Sequence, residues 1–297
     1  MTNLSLSMTD HPRQLVVTEQ IAEMLGIVRR ARDEGSRVGL VPTMGALHAG
    51  HLSLMHAARR ECDFVVASIF VNPAQFGPKE DFARYPRNLD VDLALCAQAG
   101  VDAVFHPAVE TMYAAGFATY VDVAGMSDVL EGKFRPGHFR GVTTVVLKLF
   151  QIIPADVAFF GQKDFQQQAI IRRMSADLDL PIEIRVCPTV READGLALSS
   201  RNVYLSADDR RSALAVSKSL QLARELIAGG RRDLPEVRQE MLKILSQTAR
   251  VSVEYATLIH PETLEEVSEV LPKLVAVVAA RVGTTRLIDN LVIETGI

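Results

Sequence analysis

Apolar residues at Ile21, Met24, Leu25 and Val28 form a helical stripe, which predicts a helix over residues 18–32 closed by Gly35. The short apolar run at residues 38–41, stopped by Pro42, reads as a buried strand. Gly45 and Gly50 then bracket a tight loop, and residues 52–60 return to helical spacing. Residues 63–71 are almost unbroken apolar and β-branched, as expected of a central parallel strand. A helix over 89–99 stopped by Gly100 and a strand over 101–105 follow, then a short strand over 119–123. A helix over 142–153 ends at Pro154, and a strand over 156–160 leads into a helix over 164–178 with Asp164 as its N-cap. Residues 182–187 make one more strand.

This strand–helix alternation predicts an α/β fold, a doubly wound, Rossmann-like parallel sheet with ligands at the carboxyl ends of its strands. Two polar loops, 72–87 and 132–141, interrupt it, and a loop as long as the first is more often functional than idle. After Pro188 the pattern changes to helices over 207–228 and 234–248, then strands over 251–259, 274–282 and 285–293. The expected division is residues 1–188 as the sheet domain and 189–297 as a smaller C-terminal α+β domain acting as a lid.

Composition narrows the picture little. The 297 residues are 48% hydrophobic and 23% charged, ordinary for a globular protein, and the net charge of -4 argues against a nucleic-acid partner. No apolar run is long enough for a membrane span, and the N-terminus lacks the pattern of a secretory signal; its first ten or so residues are expected to fray. Cys62, Cys96 and Cys187 are widely spaced with no CxxC pair, which fits reduced thiols in the cytosol. Neither GxGxxG nor GxxxxGK[ST] occurs.

Chemistry concentrates where strands hand over to helices. His48 and His51 sit at one such junction, where free backbone N–H groups and the helix dipole attract anions; with His48 in the first turn, both rings would share a face. They could equally be ordinary polar residues at a helix start, while a metal pair lacks a third ligand. Residues 160–164, FGQKD, repeat the architecture, with Lys163 placed to neutralise phosphate and Gly161 open to close approach; a capped helix with a solvated lysine is the plain alternative. In LSSRN, residues 198–202, two hydroxyls beside the Arg201 fork suit phosphate oxygens, against an ordinary loop with an exposed arginine. Asn72 and Gln75 lie past the central strand, where an amide could hold a small hydroxy acid and Phe70 and Met44 could cover its methyls, or could simply brace the loop.

The string PTMGALHAGH, residues 42–51, resembles the pantothenate synthetase family, the ligases that join pantoate to β-alanine; its HAGH resembles the HxGH motif of the nucleotidylyl-transferase superfamily. GQKDFQQ, residues 161–167, is similar to that family's second ATP motif, and SSRN to the counterpart of the superfamily's mobile KMSKS-type loop. The resemblance implies that His48, His51 and Lys163 are catalytic. It implies ATP contacts from Met44, Gly45, His48, Gly50, His51, Gly161, Gln162, Lys163, Asp164, Val190, Leu198, Ser199, Ser200 and Arg201. Gln75, Gln167, Asn72 and Arg135 would serve the substrates, Arg135 reaching phosphate, with His138 open to a structural role. Mg²⁺ would accompany ATP, with Asp90 and Asp92 as a weak local pattern for holding it. A cytoplasmic homodimer is also implied. A plain nucleotidylyl transferase shares the histidines but leaves the glutamine segments unexplained, and a non-enzymatic ATP-binding sensor on the same fold is the second rival.

Overall fold

The computed structural model describes residues 15–78 and 80–296. The N-terminal stretch expected to fray lies outside the described residues. The chain runs through β1 (Val16–Thr18), α1 (Ile21–Asp33), β2 (Val38–Thr43), α2 (Ala49–Glu61), β3 (Phe64–Ile69), α3 (Leu89–Gln98), β4 (Ala103–Phe105) and α4 (Val109–Met112). It continues with α5 (Glu131–Phe134), α6 (His138–Ile152), β5 (Val157–Gly161), α7 (Phe165–Asp177) and β6 (Glu183–Cys187). The remainder is α8 (Ala207–Ala228), α9 (Leu234–Gln247), β7 (Val251–Ile259), β8 (Lys273–Val282) and β9 (Thr285–Glu294).

The first six strands form one parallel sheet in the order β1-β4-β3-β2-β5-β6. Strand alternation sends Val38 and Leu40 to one face, against Met24 and Val28 of α1 and Val142, Val145 and Leu149 of α6. Val41, Val65 and Ala67 face the other way, onto Leu54 and Met55 of α2 and Cys96 of α3. Both faces are covered, so the doubly wound expectation holds and the central strands read as continuous apolar runs. Pro42 does not end its strand: β2 runs on to Thr43 along β3, while β5 pairs only with Gly39 and Leu40, so Pro42 costs no ladder bond.

Two local expectations fail for physical reasons. Residues 119–123 are not a strand; the Val121 N–H donates to Thr144 Oγ1 and its carbonyl accepts from Thr143 Oγ1, so α6 side chains satisfy the segment. The 132–141 loop instead holds α5 and the first turn of α6, because Gly137, at φ +80°, caps a helix rather than opening a coil. Gly141 inside that helix is a packing requirement: a Cβ there would lie 2.1 Å from the Ala74 carbonyl oxygen.

The C-terminal part is an antiparallel sheet, β7-β8-β9, with α8 and α9 on one face. Leu274, Ala276 and Val278 of β8 point to those helices, whereas Val275 and Val277 pack on Phe139, Phe165 and Ile170 of the first part. Burial on both faces explains why β8 is apolar from Leu274 to Ala280, with the charged Lys273 and Arg281 exposed. The contact is also polar: Arg286 donates to both oxygens of Glu131 at 2.6 and 2.7 Å, and the Tyr255 hydroxyl adds a third bond at 2.7 Å.

Candidate active site

After β2 the chain adds strands on one side of the sheet, and after β5 on the other, so the carboxyl ends of these neighbours open the crevice where such folds bind ligands. The loop leaving β2 turns sharply at Gly45 (φ +79°) and Ala46 (φ +50°). The buried Asp92 carboxylate holds it there, accepting the Ala46 and Leu47 N–H groups at 2.9 and 2.8 Å. This corrects the reading of Asp92 as a magnesium ligand, since its oxygens are committed to backbone. Asp90 is exposed on the first turn of α3, outside the cleft.

The loop delivers His48 as the N-cap of α2 and His51 to its first turn. The helix therefore starts earlier than its apolar spacing suggested, and the rings lie against each other tilted by 39°, with centroids 4.1 Å apart. His48 Nδ1 accepts the Gly50 N–H at 3.1 Å, and His51 Nδ1 accepts the His48 N–H at 3.3 Å. With both Nδ1 atoms taken as acceptors, the neutral rings carry their protons on Nε2. Burial, then the neighbouring His48 and Lys163, hold His51 down to about 3; burial and Lys163 also lower His48. The pair therefore works as two neutral donors, not as two cations.

Stability follows from the same shifts. His51 at about 3 and His138, held by burial and Arg135 at about 4, both lie below their ordinary 6.5. The unfolded chain takes up these protons first as pH falls. Their contribution is thus fully present above about 6.5 and is lost as acidification proceeds toward the folded-state values. Thermal melting is expected to be level from pH 7 to 8 and to fall below 6.5, less steeply in His138→Gln. A melting temperature that rises on acidification would contradict the shifts.

From the second junction, β5 delivers Gly161, Lys163 and Asp164 to the same cleft as His48, Gly50 and His51. A Cβ at Gly161 would meet no protein atom within 4 Å, so internal packing does not demand the glycine; the space beside it is open for a ligand. Asp164 is the N-cap residue of α7, yet its side chain makes no capping bond. Gln75 is oriented rather than free: the buried Asn72 amide donates to Gln75 Oε1 at 3.0 Å and to the Gly141 carbonyl at 3.1 Å. Asn72 Oδ1 in turn accepts from the Tyr113 hydroxyl at 2.8 Å. Among the described residues the Gln75 N–H₂ reaches only Met44 Sδ, at 3.1 Å, a weak acceptor that a substrate oxygen would displace.

The structure gathers most of the sequence candidates in one cleft: Met44, Asn72, Gln75, Gln167, Val190, Leu198, Ser199, Ser200 and Arg201 join the two junctions. Gly45 and Gln162 do not line it; Gly45 serves the turn packed on Asp92, and the Gln162 N–H and carbonyl are tied to Cys187 and Asn290. Asn72 lines it with its amide committed to the protein, which makes it a brace for Gln75. Arg135 stands at the adjoining hollow, paired with Glu80 at 2.6 and 2.8 Å. The Arg201 fork already holds Asp81, with both bonds at 3.0 Å.

Tyr85 and Thr189 are among the lining residues that went unread in the sequence. Tyr85 is buried from the long polar loop, and Thr189 contributes a buried hydroxyl with no protein partner. A lone Tyr in a Pro-rich loop and a Thr after a strand carry no local signal. All three cysteines are buried, and burial raises Cys62 to about 11, Cys96 to about 12 and Cys187 above its ordinary value. They are protonated thiols, which leaves covalent thiolate catalysis without a candidate among them.

Comparison with known proteins agrees with the geometry. A family model described as pantoate-beta-alanine ligase matches residues 16–292. The pantothenate synthetase of Moorella thermoacetica is 55% identical over 276 residues, covering 93% of this chain and 98% of that protein. A crystal structure of pantothenate synthetase from Thermus thermophilus superposes with a TM-score of 0.89 at 47% identity, covering 93% of this chain and 98% of that one. A pantoate-beta-alanine ligase from Francisella tularensis, complexed with beta-gamma ATP and beta-alanine, superposes with a TM-score of 0.77 at 33% identity, covering 94% and 97%.

Proposed function

This chain belongs to the pantoate–β-alanine ligase family, and we propose that its cleft makes pantothenate from pantoate, β-alanine and ATP through a pantoyl-adenylate intermediate. A pantoate carboxylate oxygen attacks the α-phosphorus, and the bond to the β-phosphate breaks, releasing pyrophosphate. The free amine of β-alanine then attacks the acyl carbon; the C–O bond breaks, AMP leaves with the carboxylate oxygen, and the amine loses a proton. The observation that carries this reading is the meeting of His48, His51 and Lys163 in one cleft from two separate strand–helix junctions.

The roles follow from charge and reach. His48 and His51 donate Nε2–H bonds to phosphate oxygens, and Lys163 adds the positive charge that the neutral rings do not supply. The open side of Gly161 and the unpartnered Thr189 hydroxyl fit a nucleotide. Mg²⁺ would enter with ATP, and Asp164, a carboxylate lining the cleft, is the residue that would help hold it; among the described residues no cluster of three metal-ligating side chains exists. Bound there, it would neutralise phosphate charge. Arg201 exchanges Asp81 for phosphate as the polar loops rearrange, and the labile adenylate is shielded by the same closure. The reading divides the chain into residues 1–188, holding ATP and pantoate, and 189–297 as the part closing over them. It extends to a cytoplasmic homodimer, as the resemblance implies. Among the described residues no helix is long and apolar enough to cross a membrane.

Pantoate labelled with ¹⁸O in its carboxylate is expected to pass one label to AMP. Label appearing in phosphate instead would exclude the adenylate route. Gln75→Ala is expected to raise the pantoate KM by about 10–100-fold, the loss of one hydrogen bond to a charged group, with the ATP KM changed far less. Equal weakening of both substrates would contradict the role of Gln75.

A further inference from the structure

Asn290, in the last strand β9, packs against the turn that carries Lys163. The residue is 2% exposed. Nδ2 donates to the Gln162 carbonyl at 2.9 Å and to the Lys163 carbonyl at 2.8 Å. Both neighbours are acceptors only, so the orientation of the amide is settled by chemistry. Oδ1 is buried with no hydrogen-bond partner among the described residues. An acceptor kept buried and unpaired is a cost to folding, and an apolar side chain of equal size would avoid it. What the amide supplies is confined to its two bonds to the lysine turn.

The strand around Asn290 is itself fixed. The Asp289 carboxylate accepts the Asn290 N–H at 2.8 Å and a two-pronged pair from Arg191 at 2.6 and 3.0 Å, and Arg191 also reaches the Asn290 carbonyl at 3.2 Å. Arg191 directly follows Val190, which lines the cleft. One rigid piece of β9 therefore registers both the lysine turn and the start of the 190–201 segment. Fixing two successive carbonyls fixes the backbone on either side of the Lys163 Cα, and so the direction in which its side chain leaves.

We propose that Asn290 is a positioning residue, contributed by the C-terminal part, that aims the Lys163 ammonium at the phosphates. The proposal rests on the role given to Lys163 above. Displacing a charged group by about 1 Å is enough to cost one to two powers of ten in rate. The test is a double-mutant cycle on pantoate-dependent pyrophosphate exchange, with melting temperature and pantoate KM read for every variant. Asn290→Ala is expected to slow exchange on the order of 10-fold, with the pantoate KM within about two-fold of normal. In a Lys163→Ala background the same change is expected to cost less than about two-fold. Asn290→Leu keeps the volume and removes both donors, and is expected to match Asn290→Ala even if the smaller residue compromises folding.

An unchanged exchange rate in a folded Asn290 variant would overturn the proposal. So would an equal loss in both backgrounds, the signature of a structural contribution that does not pass through the lysine. A full rate in Lys163→Ala alone would remove the role of Lys163, and the proposal with it.

Discussion

His51→Ala is expected to lower the adenylation rate by a factor on the order of 10²–10⁴ while leaving the fold in place. The substitution removes the inner of two neutral Nε2–H donors. It also removes the Nδ1 atom that accepts the His48 N–H at 3.3 Å, so the cap of α2 loosens together with the site. Neutral donors suit this position because the ring centroids lie 4.1 Å apart near a lysine, where two imidazolium charges would repel each other and Lys163. The loss is therefore not expected to be recovered at lower pH. Circular dichroism and melting establish that the variant folds, and single-turnover formation of AMP and pyrophosphate measures the step. Near-normal turnover would refute the role, as would an acid limb near pH 6.5 in the native enzyme that His51→Asn abolishes.

Lys163→Ala is expected to cost about 10²–10³ in the same step, through the only permanent positive charge on the turn after β5. Lys163→Arg is expected to recover part of that loss. It keeps the charge, but spreads it over a planar fork that does not match a compact ammonium. Lys163→Met keeps much of the length without the charge and is expected to behave like alanine. The measurement is the rate of adenylation against ATP concentration. A methionine variant close to native would show that the charge is dispensable and that the turn acts through its backbone alone.

Much of this was legible in the sequence because local rules and tertiary context agree. The boundaries of α8 and β7 match their apolar patterns residue for residue, with Gly229 and Gly230 ending the helix. The fold class followed from strand–helix alternation, and the cleft from two junctions of the same design. Several misreadings share one cause, a distant partner. Gly141 looked like part of a loop because the Ala74 carbonyl that demands it lies on another segment. Residues 119–123 had strand composition, but two threonine hydroxyls of α6 occupy the bonds a neighbouring strand would have made. Asp92 looked available to a cation until the Ala46 and Leu47 N–H groups were seen to fill it. The partners of Arg135 and Arg201, Glu80 and Asp81 of the 72–87 loop, were equally beyond any local rule. Asn290 is more than 120 residues from the turn it holds, and no spacing rule spans that distance.

The central claim is that imidazoles after β2 and an ammonium after β5 act on one triphosphate, so that the first half-reaction proceeds without the amine. The direct test is exchange of labelled pyrophosphate into ATP with pantoate present and β-alanine withheld. Exchange is expected, strictly dependent on pantoate, with stoichiometric AMP released only when β-alanine is added. Absence of exchange from enzyme that still forms pantothenate when all three substrates are supplied would contradict it.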